Sequence, residues 1–148
     1  MERPSEEVIA TLSGLAETTF AVLARAAWNA NRDTWLEVGY MVPDLSAVGP
    51  PLVRLGTLWR RDDAVVVPLS WKGDDDYPCF PDFDADIEVV DLYGGTSVHL
   101  VGQYELRGAR SMPDVARRHR ATVVCMRGFL HAVAELLETG YTSVGITA

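Results

Sequence analysis

The chain has 148 residues, the size of one ordinary domain, and residues 1–148 are expected to fold as a single unit. A domain of this size buries roughly 70% of its unfolded surface, so it needs no metal or disulfide to hold it. A hydrophobic content of 48% excludes a disordered chain, and a formal charge of -8 repels phosphate backbones and anionic lipid surfaces, which argues against nucleic acid and membranes as partners.

The N-terminus, MERPSEEV, carries acids where a signal peptide would carry a basic and then an apolar region, and no uncharged apolar stretch of about 18 residues follows. The two cysteines, Cys79 and Cys125, do not make a secreted disulfide framework, and both thiols are expected to stay free. The expected location is the cytoplasm.

Val8 to Ser13 is short and apolar-rich, readable as a strand or as the first turns of a helix, and Gly14 favours a break. From Leu15 the pattern is helical, with Phe20, Leu23, Ala24 and Ala27 at i, i+3, i+4 and i+7. Asn29 and Asn31 suggest fraying, and Trp28 and Trp35 share a face if the helix resumes through Val38. Gly39 to Pro51, rich in Pro and Gly, reads as a loop.

From Leu52 the period changes to two. Leu52 to Trp59 reads as a strand, Arg60 to Asp63 as a turn, and Ala64 to Trp71 as a second strand with Val65, Val67, Leu69 and Trp71 on one face. Pro68 removes a ladder donor, which places this strand at an edge or gives it a bulge. GDDDYPCFP reads as a loop. Asp84 to Leu92 is a third strand with Ala85, Ile87 and Val89 on one face, Gly94-Gly95 marks a hairpin, and Thr96 to Leu106 is a fourth strand. On that strand Val98, Leu100, Gly102 and Tyr104 share a face.

The last element is a long helix from Met112 to just before Gly140. Ser111 with Asp114 makes a capping-box-like start, and Gly140 suits the stop. At about 100° per residue, Val115, Ala116, His119, Val123, Met126, Phe129, Leu130, Val133, Ala134 and Leu137 share one wide face, with Leu130 central. Arg117, Arg120, Arg127, His131, Glu135 and Glu138 share the other, and the basic cluster Arg117, Arg118 and Arg120 reads as a solvated face. Ala121, Cys125, Gly128 and Ala132 form a narrow ridge suited to a partner subunit, which leaves a homodimer open, or equally to the chain's own loops.

Asp82, Asp84 and Asp86 imitate the opening of a calcium loop, but Ile87 stands where that loop needs glycine and Tyr93 where it needs glutamate. They read as the solvent face of a strand, and Asp74, Asp75 and Asp76 as a solubilising run. The three histidines, His99, His119 and His131, lack zinc spacing, and no motif names a catalytic residue, a metal site or a cofactor.

The strings VVVPLSW, CFPDFDADIEVV, TSVHLVGQYEL and RHRATVVCMRGFLHAVAELLE, in the order short strand, helix, irregular stretch, antiparallel meander, long C-terminal helix, resemble small bacterial members of the START-like superfamily, also called SRPBCC or helix-grip. The resemblance implies an α+β fold: a curved antiparallel β-sheet wrapped around a long C-terminal α-helix. It also implies a cavity between sheet and helix that in many relatives holds lipids, sterols or aromatic polyketides. It carries over no catalytic residue. The expected ligand-binding residues are Trp28, Val67, Leu69, Trp71, Ile87, Val89, Val98, Leu100, Tyr104, His119, Val123, Met126 and Leu130. The leading expectation is a binder of a small hydrophobic molecule. A polyketide cyclase or aromatase using Tyr104 and His119, and an interaction module whose own side chains fill the cavity, are the alternatives.

Overall fold

A computed structural model describes residues 3–37, 52–73, 81–93, 95–106 and 111–139. The expected loop from Gly39 to Pro51, the acids Asp74 to Asp76, Cys79, Gly94 and Gly140 lie outside them. Three helices come first, α1 (Ser5–Ser13), α2 (Glu17–Ala30) and α3 (Arg32–Glu37). The strands β1 (Val53–Leu55), β2 (Trp59–Arg61), β3 (Ala64–Trp71), β4 (Asp82–Leu92) and β5 (Gly95–Glu105) follow, then α4 (Met112–Thr139). The fold is α+β: a five-stranded antiparallel open sheet with the long C-terminal helix packed against it, consistent with a helix grip.

The ambiguous segment from Val8 to Ser13 is helical. Glu6 and Glu7 occupy the positive end of α1, while Val8, Thr11 and Leu12 are buried. The helix resumes as expected after Asn31, so Trp28 and Trp35 are both buried. Arg3 ties the start of the chain down: its guanidinium donates to the Leu137 carbonyl near the end of α4, and its own carbonyl accepts from the Thr96 hydroxyl at 2.7 Å. A cation at a helix C-terminus opposes the partial negative charge there.

Leu52 to Trp59 is not one strand. Leu55 pairs with Leu69 and Trp59 with Val66, so residues 56–58 face only 67 and 68, a one-residue bulge. Pro68 sits at that bulge, and its carbonyl accepts the Gly56 N–H at 2.8 Å. A residue in an antiparallel strand aims its N–H and C=O to the same side. The donor that Pro68 lacks is therefore missing on the bulge side, and the β3–β4 ladder runs unbroken from Ala64↔Val90 to Trp71↔Phe83. Arg60 and Arg61 belong to β2. The turn into β3 is only Asp62-Asp63, with Asp62 left-handed at φ 47°.

The same alternation can be carried across the sheet. Odd-numbered β4 residues bond β3, and even-numbered ones bond Ser97, His99, Val101 and Gln103 of β5. The N–H and C=O groups of Val98, Leu100, Gly102 and Tyr104 point to the far side of β5, where no strand pairs with it among the described residues.

The Ser111 hydroxyl accepts the Asp114 N–H at 3.2 Å, so the expected cap starts α4. The face that α4 buries is rotated from the expected one. Arg118, Ala121, Thr122, Cys125, Phe129, Val133, Leu136 and Leu137 are buried, whereas Ala116 and His119 are exposed and Val123, Met126 and Leu130 are half-buried. The cause is the small-residue ridge. Ala121 and Cys125 are wholly buried, and a Cβ on Gly128 would lie 3.2 Å from Asn31 Nδ2 and 3.7 Å from Ala27 Cβ of α2. Close helix approach selects small side chains, which a stripe drawn by hydrophobicity passes over. The ridge packs on the chain's own α2 and α3, with Trp35 Nε1–H donating to Cys125 Sγ at 3.3 Å.

Candidate functional site

Where β3 ends and β4 begins, rings pack between the sheet and the helices. Trp71 has Phe83 at 4.4 Å, Phe129 at 5.4 Å and Trp28 at 5.9 Å, the last two nearly perpendicular to it. Such edge-to-face contacts set ring edges against negative faces. Of the expected ligand-binding residues, Trp28, Val67, Leu69, Trp71, Ile87 and Val89 are buried in this core. Each contributes packing there.

The other expected residues lie toward β5 and are less covered. Val98, Leu100 and Tyr104 occupy the inner face of β5, and Val123, Met126 and Leu130 the adjoining flank of α4, and all six are half-buried. They border the seam where β5 and α4 meet, and Val98, Leu100, Tyr104 and Met126 pack there against the core. In this seam the Tyr104 hydroxyl and His119 Nδ1 form a hydrogen bond, and the two rings stack with centroids 5.6 Å apart. With Nδ1 unprotonated the phenol donates to it, and the ring proton sits on Nε2. Burial pushes the Tyr104 phenol above its ordinary pKa, so it keeps its proton. His119 is exposed, a correction to its expected place within the apolar stripe.

Gly102 does not widen this seam. A Cβ there would lie 2.3 Å from Ala85 Cβ and 2.4 Å from Ala85 Cα, so the missing side chain lets β5 press onto β4. A separate cleft of about 710 Å³ opens at the strand ends and includes Trp71 and Tyr104 in its lining. Its floor is the cross-strand row Arg54, Ser70, Asp84 and Gln103, on the sheet face away from the helices. Leu52, Phe83, Lys72, Asp82 and Glu105 also line it, so apolar side chains stand beside charged ones.

Arg118 is the residue that sequence reasoning placed wrongly. Its side chain is 1% exposed, on the buried face of α4, with Asp114 Oδ2 3.9 Å from its Nη1. The signal lay in spacing: stepping back along the ridge from Phe129 through Cys125 and Ala121 lands on Arg118 and then Asp114. Cys125, wholly buried, has its thiol pushed up to about 11 by burial, with the Trp35 hydrogen bond pulling the other way. Such a thiol is a packing group and a poor nucleophile. Among the described residues no three His, Cys, Asp or Glu side chains gather as a metal site, and no single helix is long and apolar enough to cross a membrane.

Comparison with known proteins finds no matching family model, no similar curated protein and no similar solved structure.

Proposed function

We propose that this protein binds a small hydrophobic or aromatic ligand in a groove between β5 and α4, as a START-like protein acting in the cytoplasm. The observation that carries the reading is the Tyr104–His119 contact beside the half-buried apolar side chains of β5 and α4. A few polar groups beside an apolar surface are the usual make-up of a small-molecule site. The apolar walls would take the ligand's body, and the phenol and imidazole would orient a carbonyl or hydroxyl on it. The site proposed here lies to the β5 side of the interior cavity expected between sheet and α4; the ring packing around Trp71 takes up part of that interior and counts for the interaction module.

A cyclase or aromatase is the second reading, favoured by the same hydrogen bond. For this the bound substrate's carbonyl would have to replace His119 Nδ1 as the acceptor of the Tyr104 phenol, which frees Nδ1 to take an α-proton. An interaction module is the third, favoured by the ring packing around Trp71. The test uses anilinonaphthalene sulfonate as the probe, with native mass spectrometry of the purified protein for copurifying molecules. Val123→Arg should weaken probe binding about tenfold or more, while Val101→Arg, at a position 53% exposed on the outer sheet face, should leave it unchanged. Equal effects of the two, or no binding by the unaltered protein, would remove the groove as the site.

A further inference from the structure

Among the described residues, β5 presents an unpaired backbone edge beside an apolar flank of α4. The N–H and C=O groups of Val98, Leu100 and Tyr104 face that edge, and the hairpin end is occupied, since Thr96 is buried and bonded to Arg3. Natural edge strands are usually blunted by lysine, proline or a bulge. β5 has none of these: it pairs with β4 in unbroken register from Gly95 to Glu105, and Glu105 is its only acidic or basic residue apart from His99. Next to the half-buried flank of α4, one step further round the helix, Arg120 and Arg127 are exposed. They give a basic rim to a protein whose net charge is -8.

We propose that the β5 edge is a docking strand for an extended segment of a partner, with apolar side chains at alternate positions and acidic residues beside them. Such a segment would add a sixth strand. Its backbone would pair with Val98, Leu100 and Tyr104, one set of its side chains would enter the groove against Val123, Met126 and Leu130, and its acids would meet Arg120 and Arg127. Helix-flanked edge pairing of this kind takes affinity from the main chain and specificity from alternate side chains. The charge pattern favours this occupant over a second copy of the chain. A two-fold pair of β5 edges would bring two α4 flanks together and set arginine against arginine. The inference rests on the groove reading only in requiring that the groove be open.

The experiment is amide NMR of the full chain with a pool of octapeptides carrying Val, Leu, Ile or Phe at alternate positions and Asp, Glu or Ser between them. Slowed exchange at the amides of Val98, Leu100 and Tyr104 is expected, with binding lost for peptides N-methylated at every second residue. The double variant Arg120→Glu, Arg127→Glu should weaken binding about tenfold or more and lift a preference for acidic over lysine-containing pools. No protection with any pool, or equal binding of N-methylated peptides, would overturn the proposal. Protection that grows with protein concentration and without peptide would overturn it in favour of a second copy. Anilinonaphthalene sulfonate binding, measured on the same samples, separates the two ideas: if the probe binds and no peptide does, strand docking alone fails.

Discussion

Replacing Phe129 by alanine should be the most damaging single truncation in α4. The side chain is wholly buried and stands perpendicular to Trp71 at 5.4 Å. Removing a buried phenylalanine costs about 3–5 kcal/mol, the transfer free energy of the ring plus the cavity it leaves. Trp71 is held on its other sides by Trp28 and Phe83, so it cannot move freely into the hole, and about 4 kcal/mol is expected. Leu130, one residue on, is rotated by 100° into the half-buried flank, and Leu130→Ala should cost about 1–2 kcal/mol, below the usual range for a fully buried leucine. Arg127→Ala, exposed, should cost about 0.5 kcal/mol or less. In urea melts with a slope near 2 kcal/mol/M, these losses move the midpoint by roughly 2 M, under 1 M and about 0.2 M. Equal shifts for Phe129→Ala and Leu130→Ala, at unchanged slope, would refute the phase assigned to α4.

Arg118→Ala should cost about 3 kcal/mol or more, because it removes a 1%-exposed side chain together with its 3.9 Å ion pair to Asp114, whereas Arg117→Ala should be near neutral; thermal melts of the two variants decide this. Gly102→Ala should destabilise by about 1–3 kcal/mol, since the new methyl meets backbone of β4 rather than a movable side chain, and denaturant unfolding measures it. Cys125 should not react with a disulfide reagent at pH 8 in the folded protein, and Cys79 and Cys125 should both react after denaturation. Because burial raises the Cys125 thiol, its contribution to stability is complete below the ordinary value of 9.0 and is lost as pH rises through about 11, which a pH series of melts against Cys125→Ala would show.

The elements that sequence reading placed well are those whose signals are local. β3 runs from Ala64 to Trp71 because a period-two run of Val and Leu lies between an Asp-Asp turn and a glycine. The N-terminus of α4 follows from Ser111 and Asp114, and Pro68 marked a bulge because a lost donor must fall where the ladder does not need one. What was not legible depends on neighbours. β1 and β2 read as one strand because the interruption, residues 56–58, is visible only against Pro68 on the facing strand. The phase of α4 was misjudged because its buried face is set by α2, and Ala121, Cys125 and Gly128 are selected there for closeness rather than for hydrophobicity. The Tyr104–His119 contact was legible as a pairing of two polar groups on facing elements, but its position at the surface was not, since that follows from the same phase.

That phase also accounts for the apolar seam beside β5. α4 carries an apolar arc wider than either neighbour alone can cover. α2 and α3 take the side with small residues, and Phe129 and Val133 reach the aromatic core, which leaves Val123, Met126 and Leu130 turned toward β5. On that side no further strand pairs with β5 among the described residues, and β5 approaches β4 closely at Gly102. Apolar surface left partly in water forgoes about 25 cal/mol for each Å² not buried. Polar residues at positions 123, 126 and 130 would avoid that loss without disturbing the core around Trp71. On the readings proposed above, a bound ligand or strand would bury the exposed parts of Val123, Met126 and Leu130 beside Tyr104 and His119.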